Sequence, residues 1–192
     1  MARMYVIQTG RTVWDEQARI ESASGAPLAD AGRRDVQVAA AELDVLSITT
    51  IYASNGQAEQ ETARALAERV GAKVRTRKEL RELDYGLWQG LTEAEIRHRQ
   101  PKLFRQWSDA PNSVRPPGGE TLPEALDRLK RAVRDIVKRH RNGNAVIVLR
   151  PVARALVKCL NNGGEMEGLW QYADDTCHAE PLEADLTAAR RS

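Results

Sequence analysis

The reactive side chains of this sequence are few and widely spaced. There are three histidines, His98, His140 and His178, and two cysteines, Cys159 and Cys177. Two cysteines cannot build a disulfide framework, and no Cys-x-x-Cys pair or Cys/His cluster suggests structural zinc. Cys177 and His178 are adjacent, which is not the spacing of a ligand set. His140 ends a helical pattern and reads as a surface residue facing the helix dipole; His98 carries no readable role. Arginine is abundant instead: of 29 cationic residues six are Lys, leaving 23 Arg. Arg11 and Arg150 each come shortly after an apolar run, near the strand ends where α/β folds bind ligands. They could hold an anion there, or simply be solvated or paired with Glu82 or Asp15. A hydroxyl such as that of Thr9 attacks well only beside a base that takes its proton. No His or Lys lies near it in sequence, so the bases on offer are Asp15, Glu21 and Glu82.

These groups sit in a chain of 192 residues, a length that suits one compact domain over 1–192. With 42% hydrophobic and 29% charged residues it has enough apolar material for a core. The 29 Lys+Arg against 27 Asp+Glu leave +2, a balance that argues against a dedicated nucleic-acid binder. Apolar runs such as Ala145 to Leu149 are far short of the ~20 residues of a membrane span. The first residues contain no signal-peptide core. The expectation is a cytoplasmic protein without membrane contact.

The elements that must position the groups are legible from periodicity. Met4 to Ile7 reads as a buried strand running into Gln8-Thr9-Gly10. Residues 11–28 read as irregular. A helix is predicted from Asp30 to Leu46, a strand over Thr49 to Ala53, and a helix from Gln57 to Val70 stopped by Gly71. Lys73 to Thr76 is a third strand. Residues 79–119 are the least regular, with a short helix from Thr92 to Arg99 before Pro101. The segment 101–118, which carries Trp107, reads as an irregular insertion covering a pocket. Thr121-Leu122-Pro123-Glu124 is a capping box opening the longest helix, with Gly143 after it. A strand over Ala145 to Leu149, a helix from Val152 to Leu160, a short helix over Met166 to Tyr172 and an edge strand over Glu180 to Leu186 complete the series. Strands alternating with helices predict an α/β fold with a mostly parallel sheet.

The order of these pieces resembles the histidine phosphatase superfamily, the phosphoglycerate-mutase-like proteins. Leu80-Arg81-Glu82-Leu83-Asp84-Tyr85-Gly86-Leu87-Trp88-Gln89-Gly90-Leu91-Thr92 matches a family block without a break. Pro117-Gly118-Gly119-Glu120-Thr121 matches Pro-Gly-Gly-Glu-Ser. Ile7-Gln8-Thr9-Gly10-Arg11-Thr12-Val13-Trp14, with Arg19 and Pro27-Leu28, follows the first block. Tyr52-Ala53-Ser54 through Thr62-Ala63 follows the second. Val146 to Arg154 follows the last, a strand into Ser-His-Gly and then a helix. The resemblance implies a three-layer α/β/α sandwich, with Trp14 and Trp88 packed around the pocket.

In active members of that family a first His attacks the phosphoryl group, two Arg and a second His hold its oxygens, and a Glu protonates the leaving group. Carried onto this sequence, the nucleophile slot holds Thr9 and the Arg before it is Gln8. The second Arg slot is Ala58. The second His slot falls on Leu149 or on Pro151, depending on the anchor. Glu82 in the acid slot and Arg19 remain, although a structural hydrogen bond could also keep Glu82. The slot set is thus Gln8, Thr9, Gly10, Arg11, Arg19, Ala58, Glu82, Leu149 and Arg150. Each charge-assisted hydrogen bond lost is worth about 1.5–3 kcal/mol, so this set predicts a pseudophosphatase. Its role would be binding, of an anionic small molecule through Arg11, Arg19 and Arg150 or of a protein through 101–118. The alternative is a phosphohydrolase in which Thr9 or an activated water attacks and Glu82 serves as acid or base. No cofactor and no resident metal is expected. Self-association through the sheet edge, common in this fold, is a third option.

Overall fold

A computed structural model describes residues 3–22, 25–140, 143–161, 166, 169–172 and 177–182. Its sheet has the order β3-β2-β4-β1-β5. β1 (Met4–Gln8), β2 (Ile48–Ala53), β3 (Lys73–Thr76) and β4 (Asn144–Leu149) are mutually parallel, and β5 (Glu180–Leu182) runs antiparallel to β1. β1 and β4 lie inside the sheet and are buried along almost their whole length, which is why they read as unbroken apolar runs.

Two helical layers close the sandwich. α2 (Asp30–Glu42) and α3 (Gln57–Val70) share a core with Ile7, Ile51 and Val148. α6 (Leu122–Arg139) and α7 (Pro151–Asn161) pack on the opposite face against Val6, Tyr52 and Ile147. α3 has its predicted bounds and ends at Gly71 in the left-handed conformation, φ 68°. The Thr121 capping box is formed, with Glu124 as its reciprocal partner. The helix predicted to reach Leu46 stops at Glu42 and tightens into a 3-10 turn over Leu43–Val45.

Two stretches expected to be irregular carry helix. Within 11–28, Thr12 caps the short α1 (Val13–Glu16) in a box with Asp15. After α4 (Glu93–Arg99), the segment 101–118 contains α5 (Pro101–Asp109) and a 3-10 turn over Pro111–Ser113. Pro101 begins α5 as its first residue, where the missing N–H costs nothing. Leu103, Phe104 and Trp107 then pack on Trp88, Ile96 and Val114. Pro101 therefore separates two helices where the sequence reading had it end one. The C-terminal edge strand is present over Glu180–Leu182; the remainder of the expected strand lies outside the described residues.

Candidate active site

The register of β1 on β4 pairs Gln8 with Leu149, so the chain leaves the sheet at the next pair, Thr9 and Arg150. The Thr9 N–H still donates to the Leu149 carbonyl at 2.9 Å. Gly10 then turns the chain, its N–H donating to Thr62 Oγ1 at 3.2 Å. The turn crosses the start of α2 at very short range. A Cβ on Gly10 would lie 2.5 Å from the Gly32 carbonyl oxygen, and one on Gly32 would lie 2.1 Å from that of Arg11. Both obstacles are backbone and cannot swing away. Gly32→Ala is expected to destabilise the protein by about 3 kcal/mol, read as a lower urea midpoint, because the Cβ forces backbone to shift.

Arg150 reaches across the mouth of this turn. Its Nη1 donates to Asp15 Oδ2 at 2.9 Å and its Nη2 to Asp15 Oδ1 at 2.7 Å, a bidentate pair. Nη2 also lies 3.4 Å from Glu21 Oε2, and Nη1 donates to Thr9 Oγ1 at 3.4 Å. The Arg150 side chain is 4% exposed, so solvent screens these contacts little. Glu21 is further held by the Thr12 hydroxyl at 2.7 Å. Burial raises the Asp15 pKa, but Arg150 and the Thr12 cap outweigh it and hold the carboxyl below its ordinary value. Burial likewise opposes the charge on Arg150, and Asp15, Glu21 and Glu82 together overcome it and raise its pKa. The guanidinium therefore stays charged, and its charge is met by protein carboxylates.

Two more acids stand close behind. Glu59, in the first turn of α3, accepts from the Ser54 hydroxyl at 2.7 Å. Burial raises its pKa against that hydrogen bond. Glu82 is 2% exposed, and its two oxygens accept three backbone N–H groups: Leu83 at 2.6 Å, Val152 at 2.8 Å and Ala153 at 2.9 Å. Val152 and Ala153 belong to the first turn of α7, so Glu82 caps that helix from across the fold. Burial pushes its pKa up to about 7, against the pull of those N–H groups and of Arg150.

The remaining slot residues divide into two groups. Gln8, Thr9, Arg11, Arg19 and Arg150 line one cleft of about 290 Å³ together with Asp15. Arg11 pairs with Asp35 at 3.1 Å where both are exposed. Arg19 donates to the Gly90 carbonyl at 2.6 Å and lies 3.6 Å from Glu95. Gln8 is buried; its Oε1 has no hydrogen-bond partner among the described residues, and its carbonyl accepts from the Cys177 thiol at 3.2 Å. Gly10, Ala58, Glu82 and Leu149 are not among the residues that line this cleft. Ala58 and Leu149 are buried in the core, and Pro151 is the first residue of α7. Trp88 is 1% exposed and donates its ring N–H to Gln100 at 3.0 Å, so it packs beneath α5 rather than facing the cleft.

Sequence reasoning weighed Asp15 as a partner of Arg150 but missed Glu59. The Thr12-x-x-Asp15 box was the available signal for Asp15, since it anchors a carboxylate beside the first turn. Glu59 carried no such signal. His140 is half-buried, edge-on to the Tyr52 ring at 6.1 Å, rather than a solvated surface residue. His178 Nε2 lies 2.8 Å from Glu180 while Cys177 turns to Gln8, so the adjacent pair serves two different partners. No group of three or more metal-ligating side chains occurs among the described residues.

The family model for the histidine phosphatase superfamily (branch 1) matches residues 4–187. The chain belongs to that superfamily. Among relatives of this histidine phosphatase superfamily member, Phosphoserine phosphatase 1 of Hydrogenobacter thermophilus is 26% identical over 175 residues, covering 91% of this chain and 83% of its own. Phosphoglycerate mutase-like protein 4 of Arabidopsis thaliana is 31% identical over 175 residues, covering 83% and 76%. Among solved structures, Bacillus stearothermophilus YhfR superposes with a TM-score of 0.88 at 26% identity over 96% of this chain and 92% of its own. The mycobacterial glucosyl-3-phosphoglycerate phosphatase Rv2419c, complexed with VO3, superposes with a TM-score of 0.80 at 25% identity over 88% and 86%. The five-stranded, mostly parallel sheet between two helical layers matches these phosphoglycerate-mutase-like neighbours.

Proposed function

We propose that this superfamily member keeps the scaffold without phosphohistidine chemistry and acts by binding. One observation carries the reading: beside Thr9, at the strand ends, stands an arginine whose charge Asp15 and Glu21 already take up. Phosphohistidine chemistry needs a nitrogen lone pair at this place and open cationic donors around the transferred phosphoryl group. Neither Thr9 nor Arg150 supplies the lone pair, Gln8 and Ala58 add no charge, and the one buried cation of the cleft is neutralised internally. An anionic ligand entering the cleft would meet Arg11 and Arg19 first, and would reach Arg150 only by displacing Asp15. The alternative ligand is a protein docking on the segment 101–118, which α5 opens.

The second reading is an active phosphohydrolase using Thr9 or an activated water with Glu82. The relatives named phosphoserine phosphatase and glucosyl-3-phosphoglycerate phosphatase favour it over a pseudoenzyme. So does a carboxyl whose pKa of about 7 suits an acid at neutral pH. Against it stand the three backbone N–H groups that occupy Glu82 and the arginine, rather than a base, beside Thr9. Turnover of an aryl phosphate and of a phosphorylated-metabolite panel decides between them, with Glu82→Gln and Thr9→Ala proteins in parallel. The binding reading expects no turnover, or the same trace in all three proteins. Turnover abolished in either variant would establish the hydrolase.

A further inference from the structure

Helices α6 and α7 cover β2, β4 and β1 on one face of the sheet, but no residue of the edge strand β3 belongs to the core they form. Register fixes which way β3 faces. Val74 pairs with Ile51 and packs into the opposite core, whereas Arg75 pairs with Tyr52, which lies on the α6 side. Lys73 shares the Arg75 face by strand alternation, and Arg77 follows immediately. Facing them, α6 presents Arg131 and Arg139. The cleft between has a volume of about 390 Å³ and is lined by Arg77, Arg131 and Arg139, with Glu79 and Asp135 as its acidic members. Arg128 forms part of its wall, but that guanidinium is already taken by Glu120 and by the carbonyls of Glu79, Arg81 and Glu82.

Arg77, Arg131 and Arg139 thus line the cleft with two carboxylates, and Lys73 and Arg75 extend the basic face along β3, in a chain whose net charge is +2. None of the side chains of Lys73, Arg75, Arg77, Arg131 and Arg139 has a hydrogen bond or ion pair among the described residues. We propose that this shelf is a binding site for a compact polyanion, a small molecule bearing two or more phosphate groups. It shares no residue with the cleft around Thr9 and does not depend on the function assigned there. Guanidinium forks match phosphate oxygens two at a time. The eight steps from Arg131 to Arg139 span about 12 Å of helix, so a single phosphate cannot serve both ends while a multiply phosphorylated ligand can. Among the described residues no aromatic ring lines the cleft, so they offer no platform for stacking bases and fit a nucleic acid poorly.

The test is calorimetric titration of tripolyphosphate, pyrophosphate and orthophosphate into the full chain. Tripolyphosphate should bind with one-to-one stoichiometry, and about tenfold or more tighter than orthophosphate. Arg77→Ala/Arg131→Ala should weaken it about tenfold or more, because each lost charge-assisted bond is worth that much. The tight binding lost in Arg77→Ala/Arg131→Ala should be retained in Arg11→Ala/Arg19→Ala, which alters only the other cleft and so separates any anion held there from the shelf. No binding at millimolar tripolyphosphate, or a loss that follows Arg11 and Arg19 instead, overturns the proposal. Tighter binding of a single-stranded oligonucleotide than of tripolyphosphate also overturns it, in favour of a nucleic-acid surface. If binding is absent and Arg75→Ala/Arg77→Ala aggregates, the cations only protect an open sheet edge.

Discussion

Arg150→Ala should destabilise the protein by about 3–5 kcal/mol. Removing one side of a buried ion pair strands the other, and here two contacting carboxylates, Asp15 and Glu21, lose their counter-charge together. Glu59 and Glu82 lose the same cation as an electrostatic partner. The remaining acids can relieve the strain only by taking up protons. The deficit of Arg150→Ala should therefore shrink as the pH is lowered from 8 towards 5, and denaturant midpoints across that range measure it. Asp15→Asn in the same background should restore part of the loss, since it removes one of the stranded charges. A deficit independent of pH would mean that packing, not charge, holds Arg150 in place. Wild-type protein has the opposite acid limb. Asp15 titrates below its ordinary value, so its contribution is complete above about pH 4 and is lost as the pH falls through its folded pKa.

Glu82 is the second large term, and its sign differs. A carboxyl moved from 4.5 in the unfolded chain to about 7 in the folded protein binds its proton more tightly when folded. The corresponding stability is full below about pH 4.5 and is lost as the pH rises through 7. The shift corresponds to about 3 kcal/mol. Glu59, also raised by burial, adds to the same slope. Wild-type stability should thus decline from pH 5 to pH 8, and Glu82→Gln, which cannot ionise, should show a shallower decline. Glu82→Ala is the harsher change. It leaves the N–H groups of Leu83, Val152 and Ala153 buried without an acceptor and should cost about 3–5 kcal/mol near pH 5, a deficit that shrinks as the pH rises through 7 because the variant lacks the wild-type titration. Hydrogen exchange should then quicken first in the opening turn of α7, because that turn loses its cap. An equal slope in wild type and Glu82→Gln would place the titration elsewhere.

The two predictions bear on function through one geometric fact. Glu82 is tied to the helix that follows β4, and Arg150 is the residue that joins that strand to that helix. A group engaged by three backbone donors is a poor candidate to follow a leaving group. An arginine saturated by Asp15 and Glu21 is likewise a poor cradle for phosphate. Among the described residues no helix is long and apolar enough to cross a membrane.

Local pattern was enough to place most elements. α3 over Gln57–Val70 and the capped start of α6 were legible because their signals lie within a few residues: an apolar stripe, a left-handed glycine, a Thr-to-Glu box. Contiguous blocks such as Leu80 to Thr92 carried the family for the same reason. Pro101 misled because proline both ends helices and begins them, and only the packing of Leu103, Phe104 and Trp107 on Trp88 decides which. The site itself was half legible. That Thr9 and Arg150 sit at strand ends follows from apolar runs, but that they touch depends on β1 pairing with β4 across more than a hundred residues. The same holds for Asp15 against Arg150 and for Glu82 against the first turn of α7. Residue types fixed which charges the chain had to bury; long-range register decided which of them would meet, and so neutralised the arginine that composition alone left free.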